Sequence, residues 1–291
     1  MVIERAIEKL KKAGGIPDAN PGLRNRARAP GQDRGRDSRV EPAPADRVSY
    51  PARVPDATGL EKNRIIDPTG NSDRSSPAHA AFRMLRSRLL NRIRTEGWTS
   101  LAVTSPGAAE GKTVVSINLA LSLAREGSSD VFLLDLDMRN PSVARYLGVT
   151  PPREIIDFFS GESLPAEIFF SVGPERLAIA SGLHSTEHAS EYLASSKFEE
   201  LLDYIREVGH NPIILIDLPP LLVSDEGILL APRVDAVSLV IAEGRTSRDG
   251  LVRAKQLLEG HTLAGVILNR SHDALAGAEY YSYGVRPKGS Q

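Results

Sequence analysis

Thr104-Ser105-Pro106-Gly107-Ala108-Ala109-Glu110-Gly111-Lys112-Thr113 is the stretch that decides the fold of this chain. The apolar run Leu101-Ala102-Val103 precedes it, and Val114-Val115-Ser116-Ile117-Asn118-Leu119-Ala120-Leu121 follows as a buried helix. A strand, a glycine-bearing turn ending in Gly-Lys-Thr, then a helix is the setting of a phosphate-binding loop. Successive backbone N–H groups and the helix N-terminus supply the partial positive charge. Lys112 is expected to reach the β- and γ-phosphates, and Thr113 to offer its hydroxyl to Mg²⁺. Pro106 stands where the standard pattern has its first glycine, so the reading also draws on two carboxylate motifs downstream.

The first is Asp130-Val131-Phe132-Leu133-Leu134-Asp135-Leu136-Asp137-Met138-Arg139-Asn140-Pro141. Its apolar run reads as a buried parallel strand that delivers Asp135 and Asp137 at its C-terminal end, where open α/β sheets bind ligands. Two acids spaced i, i+2 repel unless a cation sits near them, and beside a phosphate loop that cation is Mg²⁺. The second is Pro212-Ile213-Ile214-Leu215-Ile216-Asp217-Leu218-Pro219-Pro220, a strand closed by one acid in the Walker B manner. There Asp217 orients Mg²⁺ directly or through water. Leu177–Ala180, Ala236–Ile241 and Ala264–Arg270 are further strands, with helices over 190–208 and 247–258. The alternation predicts a doubly wound, mostly parallel α/β sheet of the P-loop NTPase kind.

Outside this core the character changes. Ile3, Ile7 and Leu10 form an apolar stripe on a helix over 1–14, stopped by Gly14-Gly15. Seven prolines then fall between Ile16 and Gly59, and eight arginines against four acids between Pro21 and Val54. Residues 15–66 therefore read as a disordered Pro/Arg-rich linker, and 67–271 as the folded domain. A helix from Ala78 to about Arg94 carries Phe82, Leu85, Leu89 and Ile93 on one face and a set of arginines on the rest. The tail, 272–291, lacks a core pattern, reads as mobile, and contains Tyr280, Tyr281 and Tyr283.

A formal net charge of −1 implies no global affinity for polyanions, so that any such contact needs a local patch and no nucleic-acid partner is expected; zero cysteines exclude disulfides, thiolate metal sites and a Cys nucleophile. No apolar run approaches the roughly 20 residues that span a bilayer. Membrane association is expected only through a partner.

The loop, LLDLDMRNPS and IIDLPPLL together resemble the bacterial tyrosine autokinases (BY-kinases) of capsule and exopolysaccharide synthesis, over about 67–270. The N-terminal helix and linker are similar to the form that accompanies exosortase-linked polysaccharide loci. The resemblance implies ATP and Mg²⁺ as cofactors, with Gly107, Ala108, Ala109, Glu110, Gly111, Lys112, Thr113, Val114 and Asn269 around the nucleotide. It implies Asp135 as the base acting with Lys112, and Thr113, Asp137 and Asp217 at the metal. Tyr280, Tyr281 and Tyr283 would accept the phosphate. It also implies an integral-membrane polysaccharide chain-length (co-polymerase) protein as activator, self-association, a tyrosine phosphatase, and a cytoplasmic place at the inner face of the plasma membrane. Three features depart from the family: Ala108-Ala109 in the loop, Ala80 where the oligomerisation helix has an acid, and a short tyrosine cluster. Two other readings stay open, a related ATPase of the deviant-Walker class and a nucleotide-switched scaffold. Gly107, where such ATPases carry a signature lysine, argues against the first.

Overall fold

A computed structural model describes residues 48–69 and 76–271. Seven strands form one sheet: β1 Ser100–Thr104, β2 Val131–Asp135, β3 Phe169–Ser171, β4 Leu177–Ala180, β5 Ile213–Asp217, β6 Ala236–Ala242 and β7 Leu263–Asn269. Their order is β3-β4-β2-β5-β1-β6-β7, parallel throughout except for β3, which pairs antiparallel with β4. The doubly wound α/β expectation is met. Strand β3 has no counterpart in the sequence reading, because three residues are too few to show a period.

Alternation along the central strands assigns the two faces. Phe132, Leu134, Ile214 and Ile216 join one buried cluster; Leu133 and Leu215 join the other, with Ile117, Leu121 and Leu123 of the helix after the loop. That helix, Lys112–Ala124, is buried along nearly its whole length, since Pro77–Glu96 packs outside it through Leu89, Leu90 and Ile93. The basic residues of the outer helix are partly spent on the domain itself: Arg86 donates to Ser122 O at 3.3 Å and Arg92 to Ala264 O. Asp135 and Asp217 share the parity of Leu133 and Leu215 along their strands, so both acids point toward the helix that the phosphate loop begins.

The linker boundary needs correction. Residues 48–66, expected to be disordered, are folded onto the domain. Ala52 forms a parallel bridge to Ser171, Arg53 N donates to Ser171 O at 2.9 Å, and Tyr50 packs on Phe132 and Phe169. Asp56 caps the helix Ala57–Lys62 by accepting from Thr58 N and Gly59 N. It rests on Gly148, where a Cβ would lie 2.6 Å from its own. Leu60 and Ile65 enter the core, and Asn118 receives Ile66 N at 2.7 Å while donating to Arg64 O at 3.0 Å. The apolar residues here are spaced by the tertiary surfaces they meet, Tyr50 on one cluster and Leu60 and Ile65 on the other, which leaves no period in the sequence. The N-terminal helix, the rest of the linker and the tail tyrosines lie outside the described residues.

Candidate active site

Parallel pairing brings the site together. Strand β5 lies between β1 and β2, with Val103 opposite Asp217 on one side and Asp135 opposite Asp217 on the other. The phosphate loop leaves β1, so both carboxylate motifs arrive at its edge.

The loop is latched from behind. Gly111 has φ +94, and a Cβ there would lie 2.1 Å from Asn269 Nδ2, which donates to Glu110 O at 2.9 Å. Glycine is thus required both for the backbone turn and for the approach of β7. Glu110 is buried; its carboxylate accepts from Gly107 N at 3.2 Å and from the Thr246 hydroxyl at 2.7 Å. Arg270 donates to Ala109 O at 3.0 Å, and both residues sit in the left-handed region with φ 58. The strain of those two L-residues falls beside the phosphate site, where such conformations are commonly held by surrounding structure.

Lys112 points into the acids. Its Nζ lies 2.8 Å from Asp137 Oδ2, 3.5 Å from Asp217 Oδ2 and 3.3 Å from Thr113 Oγ1. Burial alone would pull the ammonium pKa down, but Asp217 and Asp137 outweigh it and hold the proton well above the ordinary lysine range. Asp217 is fully buried and accepts from Thr113 Oγ1 at 2.6 Å and Ser116 Oγ at 2.9 Å. Its carboxyl is nevertheless pushed up, because desolvation outweighs Lys112 and the two hydroxyls.

Asp135 has a different setting. Its Oδ2 accepts from Ser142 N and Val143 N, both at 2.9 Å, which caps the helix Val143–Leu147, and from Ser181 Oγ at 2.8 Å. Its Oδ1 is buried without a hydrogen-bond partner. Burial first, and the Asp217 charge second, push this carboxyl up to about 7.

A cavity of about 670 Å³ opens over the loop, within the size range of small-ligand sites. Of the residues expected around the nucleotide, Ala108, Ala109, Gly111, Lys112, Thr113 and Val114 line it; Gly107, Glu110 and Asn269 stand behind it as supports. Among the three acids only Asp137 reaches the lining, with Asp135 and Asp217 beneath. The oxygen donors Thr113, Asp137 and Asp217 suit Mg²⁺, which takes one or two carboxylates alongside substrate phosphates. The residues therefore fit both ATP and Mg²⁺. Sequence reasoning missed Ser116, one turn beyond Thr113, and Ser181, Thr246, Arg139 and Tyr146. Of these, Ser116 had a signal in its helical spacing from the loop, and Arg139 in its place two residues after Asp137.

Comparison with known proteins bears on this geometry. The family described as ParA, NUBPL iron-transfer P-loop NTPase, matches residues 99–271. The chain is 31% identical over 176 residues to tyrosine-protein kinase CpsD of Streptococcus pneumoniae, covering 58% of this chain and 75% of that one. It is 26% identical over 227 residues to a putative tyrosine-protein kinase CapB of Staphylococcus aureus, covering 77% and 98%. The solved VpsO kinase domain superposes with a TM-score of 0.59 at 31% identity, covering 67% and 96%. With this phosphate loop, these acids and these relatives, the chain belongs to the ParA-type P-loop NTPases, a nucleotide-binding fold, and within them to the bacterial tyrosine kinases.

Proposed function

We propose that this kinase transfers the γ-phosphoryl group of Mg-ATP to tyrosines of its own C-terminus, Tyr280, Tyr281 and Tyr283, and so regulates capsule or exopolysaccharide polymerisation and export. The observation that carries the reading is the buried ion cluster of Lys112, Asp137, Asp217 and Thr113 on the floor of the loop cavity. Phosphoryl transfer asks for charge neutralisation and positioning more than for covalent chemistry, and this cluster supplies both. Thr113, Asp137 and Asp217 would hold Mg²⁺, whose charge offsets that of the phosphates. Lys112, released from the acids, would hold the β- and γ-phosphate oxygens. The Oδ1 of Asp135 would take the phenolic proton. A base works best with its pKa near the operating pH, and about 7 meets that condition. Because Asp135 lies beneath the cavity lining, the phenol reaches it only when that lining moves.

Among the described residues no helix is long and apolar enough to cross a membrane. The kinase reading itself, by its resemblance, puts the protein in the cytoplasm at the inner membrane face, held and activated by an integral-membrane chain-length protein. Self-association and a reversing tyrosine phosphatase complete the cycle. Incubation with γ-labelled ATP tests the proposal. Label on the tail tyrosines, lost in a Lys112→Met variant, is the expected result. Free phosphate without phosphotyrosine would make the chain an ATPase, and tight binding with neither product would make it a scaffold.

A further inference from the structure

Glu226 is a fully buried carboxylate that the described chemistry does not use. Its Oε1 accepts from Arg139 Nε at 2.5 Å, and its Oε2 has no partner. Burying a carboxylate costs several kcal/mol unless a counter-charge is held in good geometry. Here that counter-charge is not buried in turn: the Arg139 side chain is 48% exposed and lines the loop cavity. Arg139 follows Asp137 by two residues in the turn that closes β2, where Asn140 N donates to Asp137 O at 2.9 Å. Glu226 opens the helix Glu226–Leu230, beyond the loop that leaves β5. A second strut joins the same two loops, with Arg139 Nη2 donating to Ser190 Oγ at 3.5 Å and Ser190 Oγ to Asp225 at 2.9 Å.

We infer that Arg139 is a phosphoryl-binding residue of the kinase, held at the cavity rim by Glu226 acting as a positioning residue. The charge inventory of the cavity supports this. Lys112, Arg139 and Arg270 are its lining cations. Lys112, on two carboxylates in the empty site, is the cation that the kinase reading assigns to the β- and γ-phosphates, and Arg270 braces the loop itself through the Ala109 carbonyl. Arg139 has Nε on Glu226 and Nη2 on Ser190, and its Nη1 makes no hydrogen bond among the described residues. A planar guanidinium with free N–H groups matches the oxygens of a phosphoryl group. The phosphate loop holds the nucleotide from one side. Arg139 lines the same cavity from the turn that carries Asp137. The inference rests on the kinase reading, in which the phenol oxygen bonds to phosphorus, the bond to ADP breaks and the proton leaves to a carboxylate. Arg139 changes no bond; it offsets charge on the moving phosphoryl.

The test is nucleotide preference, measured calorimetrically on the full chain with Mg²⁺, comparing ADP with a non-hydrolysable ATP analogue. Arg139→Ala should lower the preference for the triphosphate by about tenfold, the equivalent of about 1.4 kcal/mol. Glu226→Gln should lower it less, and the double variant should match Arg139→Ala alone, since Glu226 acts only through Arg139. Melting curves without nucleotide separate a purely structural clasp. If Arg139→Ala lowers the melting temperature and leaves the preference unchanged, the inference is overturned. Should Arg139→Ala not fold, Arg139→Lys carries the test, because an ammonium lacks the fork to serve Glu226 and a phosphoryl group together; an unchanged preference there also overturns it. Absence of phosphotyrosine in the wild type would sink the kinase reading instead, a separate result.

Discussion

Gly111→Ala should damage the loop by a route that the structure specifies. The residue has φ +94, and holding an L-side chain in left-handed backbone costs about 1–2 kcal/mol. The new Cβ would meet Asn269 Nδ2 at 2.1 Å, so Asn269 must swing away and give up its hydrogen bond to Glu110 O. That bond is worth about 1 kcal/mol net. The sum is about 2–3 kcal/mol, which for a domain of this size lowers the melting temperature by roughly 4–12 °C. Asn269→Ala alone loses only the bond, about 1 kcal/mol. The double variant has no amide to displace, and the bond can be lost only once. It should therefore be more stable than the summed single losses predict, by about 1 kcal/mol or more. Urea denaturation of the four nucleotide-free proteins measures this directly. Additive losses would show that the strand-end amide does not constrain the loop, and that backbone conformation alone requires glycine.

Lys112→Met should abolish most of the phosphate affinity and also weaken the empty protein, because Asp137 and Asp217 lose their shared counter-charge; calorimetry and urea titration read the two effects. Ser116→Ala should cost about 1–3 kcal/mol by leaving a buried Asp217 oxygen unpaired, seen as a lower urea midpoint. The carboxyl of Asp135 is raised from an ordinary value near 4 to about 7 in the fold. Its contribution is thus fully present below about pH 4 and lost as pH rises through about 7. Asp135→Asn, which keeps an acceptor for Ser142 N and Val143 N, should lose less stability than wild type between those limits, and parallel curves would refute the assignment. A chain starting at residue 67 should unfold in several kcal/mol less than one starting at 48, because Leu60, Ile65 and Ile66 are each worth about 1.5–3 kcal/mol when buried.

What was legible in the sequence was what repeats or alternates. The apolar runs at 131–135 and 213–217 mark two central strands, and parallel order puts Asp135 and Asp217 at one edge, as the register Asp135 opposite Asp217 bears out. Helix Lys197–Val208 was readable from Phe198, Leu201, Leu202 and Ile205, all buried. Residues 48–66 show no period in the sequence because their few apolar groups are spaced for the surfaces they meet: Tyr50 packs on Phe132 and Phe169, whereas Leu60 and Ile65 enter the cluster on the other face. A stretch rich in proline and arginine can still be ordered when a folded surface receives its few apolar groups one by one.

The site divides in the same way. The types of its groups were visible, but their division of labour was not, because that depends on what surrounds each acid. Asp135, Asp137 and Asp217 are chemically equal in the sequence. In the fold one caps a helix with its remaining oxygen unpartnered, one faces the cavity beside Lys112, and one is held by two hydroxyls. The supports of the loop were equally hidden. Glu110 occupies the Gly107 N–H, and residues from β7 and from the turn after β6 reach back to the loop from more than 130 positions away in sequence. A loop that departs from the standard pattern at Pro106, and from the family at Ala108-Ala109, keeps its shape through those distant contacts. This is why the motif could be read from its neighbours in sequence, whereas its tolerance of alanine could be read only from its neighbours in space.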